Sequence, residues 1–98
     1  MVYIIAYLTA HPGKGVEILA LAEPLIEGTR REAGCISYEL YQKPADPDAL
    51  VFVETWKDKA AVDAHFAEPH LKAFQVATAD LLVEARIELV HPEKVEVL

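Results

Sequence analysis

The stretch LVFVETWK (50–57) is apolar on both sides of a strand: Val51 and Val53 alternate against Phe52 and Trp56. A half-solvated strand would place polar residues at every second position, so this one needs cover on both faces. Three other stretches read as strands from their β-branched and aromatic content: VYIIAYLT (2–9), CISYELYQK (35–43) and VEARIELVH (83–91). Between them the period changes. From Val16 to about Ala33, Ile18, Leu21, Ala22, Leu25, Ile26 and Thr29 recur at spacings of three and four, which predicts a helix. Pro24 should kink it, and Gly34 should end it in a left-handed conformation. AHPGKG (10–15) and PADPDA (44–49) read as loop and turn. Asp58 is placed to cap a short helix over KAAVDAHFAE, and Pro69 to open another over PHLKAFQVATADLL.

The order βαββαβ, with its second helix broken, predicts an α+β, ferredoxin-like fold: one antiparallel sheet with helices on one face. The other face then needs a cover, and the simplest is a second copy of the same sheet, giving a homodimer built as a dimeric α+β barrel. The tail EKVEVL (93–98) alternates like a short extra strand that could add to the partner. Residues 1–98 form one domain, because a second core does not fit in this length.

Charge narrows the function. A formal net charge of −7 with scattered basic residues argues against nucleic acid and anionic membrane surfaces as partners. VYIIAYL is too short to span a bilayer and lacks the flanks of a signal peptide. The lone Cys35 excludes an internal disulfide and fits a reducing compartment, so the expectation is a soluble cytoplasmic protein. Nucleotide-binding and serine-hydrolase glycine motifs are absent from the sequence.

Chemistry is left to a few side chains. His65 shares the apolar helical face with Val62 and neighbours Phe66, so it is either a packed histidine or a cavity-lining imidazole able to orient or deprotonate a ligand. His70, after Pro69, lies in the first turn of the next helix, where the dipole favours a neutral ring; it is a base or an exposed helix-start residue. Their spacing of five across a proline, with no third His or Cys nearby, argues against a metal site. Glu54, between Phe52 and Trp56 on one strand face, needs either a partner such as Arg30 or Arg31 or a raised pKa. Trp56 offers a fixed N–H donor. Tyr38 and Tyr41 point to opposite faces, so at most one lines a given cavity, and Cys35 reads as an inert thiol.

TRREAGCISYELYQ followed by VFVETWKDKAAVDAHFAEPHLKAF resembles the antibiotic biosynthesis monooxygenase family, including its small quinol monooxygenases, over roughly residues 2–91. The resemblance is carried by E-x-G-C-x-x-Y (Glu32 to Tyr38) and by E-x-W…H-x-x-x-x-H-x-x-x-F (Glu54 to Phe74). It implies a homodimer joined through its sheets and, in members that oxidise aromatics, a reaction needing neither metal nor flavin. There an electron-rich phenol or hydroquinone, once deprotonated, itself reduces O₂. By position Trp56 matches the pocket tryptophan of that group. Phe52 stands where those members tend to carry an asparagine that polarises a substrate oxygen, and Gln75 stands where haem-degrading relatives carry an axial histidine. The expected activity is therefore a cofactor-free monooxygenase acting on a quinol-like or polyphenolic aromatic. His65 and Trp56 would be catalytic, with Tyr38, Phe52, Glu54, Phe66, His70 and Phe74 around the substrate. The alternatives are an isomerase of the same fold using His65 and Glu54 as acid and base, and a module that only sequesters an apolar ligand in a stress response.

Overall fold

A computed structural model describes residues 1–98 as β1 (Val2–Ala10), α1 (Gly15–Arg30), β2 (Cys35–Lys43), β3 (Asp46–Trp56), α2 (Lys59–Phe66), α3 (Pro69–Thr78) and β4 (Leu82–Val90). The strands form one antiparallel sheet in the order β2-β3-β1-β4, the ferredoxin-like α+β arrangement with its second helix divided in two. Register sets which residues meet on the helix face. Ile4 and Tyr38 both lie opposite Glu54, from the strands on either side of it. Ile4, Ala6, Leu8, Phe52 and Trp56 are buried there beneath Ile18, Ala22 and Leu25 of α1 and Leu71 and Phe74 of α3. That layer is the core.

The far face of the sheet is different. Tyr7, Tyr41, Val53 and Val90 are large apolar side chains left exposed on it. The tail beyond Val90 forms no strand within the protomer. No helix is long and apolar enough to cross a membrane.

Several boundaries depart from expectation. Helix α1 runs unbroken through Pro24 and stops at Arg30, where the N–H groups of Arg31 and Glu32 reach back to the carbonyls of Gly28 and Thr29 respectively. Gly34 is not left-handed; Gly13 is the glycine with positive φ. Gly34 is needed instead for space, because a Cβ there would run into the Cβ of Ala61. Its absence lets α2 settle against the turn that follows α1. Strand β3 begins four residues early, at Asp46, because Asp46 pairs across the hairpin with Lys43. Helix α3 ends at Thr78, whose hydroxyl bonds back to the carbonyl of Phe74. The cap at Asp58 forms as expected, its carboxylate accepting from the Ala61 N–H at 2.8 Å.

Candidate active site

Between the sheet and the helices lies a cavity of about 150 Å³. Tyr38, Phe52 and Glu54 line it from the sheet, and His65, Phe66 and Phe74 from α2 and α3. Ile87 of β4 also borders it and is half exposed. An apolar cavity of about this size holds a single aromatic ring such as benzene.

His65 is held on both sides. Trp56 lies against it with the rings tilted by 38° at a centroid distance of 4.6 Å, and Tyr38 and Phe66 meet it edge-on at 5.5 and 5.7 Å. Its Nδ1 lies 2.8 Å from Glu32 Oε2. An ionised carboxylate only accepts, so that contact places the His65 proton on Nδ1 and leaves the lone pair on Nε2. The hydrogen bond of the ring is made through Nδ1, and Nε2 makes none within the protein. The same Glu32 oxygen lies 2.7 Å from His70 Nε2. Glu32 is itself fixed by the backbone: its N–H donates to Thr29, and its carbonyl accepts from Cys35. The turn after α1, the end of α2 and the start of α3 thus converge on one carboxylate oxygen.

Glu54 takes a different partner from the arginines considered above. Arg30 pairs with Glu39 and Arg31 with Glu27. Glu54 Oε1 instead accepts from Trp56 Nε1–H at 2.8 Å. Burial pushes its carboxyl up to about 7; the Trp56 hydrogen bond opposes this, and the charge of Glu32 adds to it. Burial likewise pushes the Cys35 thiol up to about 11, with Glu32 and Glu54 adding and Arg30 opposing, so it stays protonated and weakly reactive at neutral pH. The Tyr38 hydroxyl is raised as well, by burial first and then by Glu54.

Of the side chains singled out from sequence, His65, Tyr38, Phe52, Glu54, Phe66 and Phe74 border the cavity. Trp56 and His70 do not. Trp56 lies fully buried behind His65 with its N–H spent on Glu54, and His70 stands on the outer side of Glu32. Gln75, at the position compared with a haem ligand, reaches the cavity wall. Sequence reasoning missed Glu32 as a site residue. It sits 33 positions from His65, and only its place in E-x-G-C-x-x-Y marked it. The donor atoms of Glu32, His65 and His70 lie within 4.8 Å of one another, so the fold supplies the third ligand-type group that the histidine spacing lacked. Here the three satisfy one another.

Residues 1–77 match the family model described as antibiotic biosynthesis monooxygenase. YcnE of Bacillus subtilis is 33% identical over 95% of this chain and 97% of its own length. YgiN of Escherichia coli, named a probable quinol monooxygenase, is 27% identical over 94% of this chain and 98% of its own. An uncharacterized Synechocystis protein is 38% identical over 74% of this chain, which spans 50% of that protein's length. Among solved structures, Rv0793 of Mycobacterium tuberculosis superposes with a TM-score of 0.89 at 28% identity, covering 98% of both chains. With a family match over 77 of 98 residues and the fold of its solved members, the chain belongs to the antibiotic biosynthesis monooxygenase family.

Proposed function

We propose that this protein is a cofactor-independent monooxygenase of an electron-rich phenol or hydroquinone bound in the helix-side cavity. The observation that carries the reading is an imidazole at the cavity wall with a free Nε2, its other nitrogen held by Glu32. Nε2 accepts the substrate hydroxyl proton, and the Glu32 carboxylate and the Trp56 face stabilise the imidazolium that forms. The phenolate passes an electron to O₂, and the two radicals combine to form a C–O bond. Glu54, near its midpoint at neutral pH, donates a proton to the resulting peroxide. The O–O bond then breaks: one oxygen stays on the ring and the other leaves as water. For a hydroquinone the balance is hydroquinone plus O₂ to hydroxyquinone plus water. The protonated Glu54 also offers a hydrogen bond to a substrate oxygen, the task that Phe52 cannot perform in place of an asparagine. The quinol in the name of the E. coli relative supports the substrate class.

The test is oxygen uptake with a panel of hydroquinones, corrected for autoxidation. Uptake equal to the product formed is expected. Glu54 and His65 in one cavity also suit acid–base isomerisation of a small carbonyl compound. Product formed without oxygen would replace the first reading by that one, and binding without turnover would leave only ligand sequestration.

We propose further that two protomers pack sheet to sheet, covering Tyr7, Tyr41 and Val53 on the far face. An apolar patch in the middle of a sheet is costly to leave in water. Sedimentation is expected to show a dimer at micromolar concentration. A stable monomer would remove this assignment, and Val53→Lys should shift the equilibrium toward monomer.

A further inference from the structure

Glu32 holds two histidines with one carboxylate oxygen, and the two do not see the same surroundings. The His65 side chain is 2% exposed and borders the cavity, whereas that of His70 is 23% exposed. The second nitrogen of His70, Nδ1, lies 3.9 Å from a Glu68 carboxylate oxygen that is itself partly open to solvent. The two rings are 6.3 Å apart. The charged groups facing them are Glu32 from the turn after α1, Glu68 from the α2–α3 junction and, across the cavity, Glu54 from β3. Arg30 and Arg31 are engaged by Glu39 and Glu27. One negative charge therefore sits between two imidazoles, and two positive charges this close in partly buried surroundings repel strongly. Gly28 adds a separate observation. Glycine is unfavourable inside a helix, yet a Cβ at this position would meet His70 Cγ and Nδ1 at 2.9 Å. The helix leaves room for the His70 ring.

We propose that Glu32 carries one imidazolium at a time, so that a proton taken by His65 from a cavity ligand expels a different proton from His70 to water. Before the step His70 is doubly protonated and His65 neutral; after it His65 is doubly protonated and His70 neutral. Glu32 stays ionised throughout. The ligand loses its hydroxyl proton to His65 Nε2, and His70 Nδ1 releases one to solvent, so charge inside the triad is unchanged. His70 thereby lets a buried base ionise a phenol without a second positive charge building up beside Glu32. The inference rests on His65 Nε2 being the group that meets the ligand.

The probe is 4-nitrophenol, whose ionised form absorbs visible light, titrated into the intact protein near pH 6. Calorimetry in two buffers of different ionisation enthalpy counts the protons released. The wild type is expected to bind the phenolate and release close to one proton per ligand. His70→Ala should still bind the phenolate but release close to none, because the proton stays on His65. Gly28→Ala, which keeps both imidazoles and crowds the His70 ring, should reduce the release as well. A Glu54→Gln background removes the other titrating carboxyl of the cavity without altering these differences. Phenolate bound by the wild type without proton release overturns the coupling alone. A probe that binds un-ionised, or fails to bind, overturns both the coupling and His65 as the base. Oxygen uptake plays no part, so failure of the oxygenase reading is seen separately.

Discussion

His65→Ala is expected to lower hydroquinone-dependent oxygen uptake by about 10²–10⁴-fold, the contribution of a positioned general base. The variant loses the only nitrogen at the cavity wall with a free lone pair and a carboxylate behind it. It should leave the fold intact, since Trp56, Tyr38 and Phe66 still pack around the vacated space. His70→Ala should cost tenfold or less, roughly 1.4 kcal/mol, because His70 touches Glu32 and not the cavity. The measurements are initial rates beside circular dichroism for each variant. Full activity in His65→Ala, or a variant that merely unfolds, makes His65 a packed core residue and removes it from the mechanism.

The second large effect is on stability. Burial raises the folded-state pKa of Glu54 to about 7, from 4.5 for a free carboxyl. Below pH 4.5 the carboxyl is protonated both folded and unfolded, and it has no effect on the balance. As pH rises from 4.5 to 7 the unfolded chain ionises first, so the folded state loses stability through that window. Above about 7 the loss levels off, on the order of 3 kcal/mol at 1.36 kcal/mol per pH unit. Glu54→Gln keeps an acceptor for the Trp56 N–H but cannot ionise. It should therefore be more stable than the wild type at pH 8 by about that amount, or roughly 12–24 °C in Tm. The two should converge near pH 4.5. Thermal melts across pH 4–8 read this directly, and parallel curves would mean that Glu54 is not held in a desolvated site.

Much of the architecture was legible because it depends on local chemistry. Alternation in LVFVETWK and VYIIAYLT, the Asp58 cap and Pro69 at a helix start are short-range signals, and the strands and helices follow them. The two-faced apolar strands also announced a sheet that one layer of helices cannot cover. His65, Glu54, Tyr38 and Phe52 could be placed on the cavity side because strand and helix periods are read within one element. Helix ends were less legible: α1 stops at Arg30, because Gly34 serves the approach of Ala61 and not a left-handed turn.

Tertiary structure alone decided the partners. No spacing rule connects Glu32 to His65 and His70, which meet it because α2 packs against the turn after α1 and α3 follows at once. Nor could the sequence choose between an arginine and Trp56 as the partner of Glu54; strand alternation puts both Glu54 and Trp56 inward, while the arginines face solvent carboxylates. Sequence periodicity determines which face a side chain takes. What it meets there, and hence its charge state and its chemistry, depends on contacts between residues far apart in the chain.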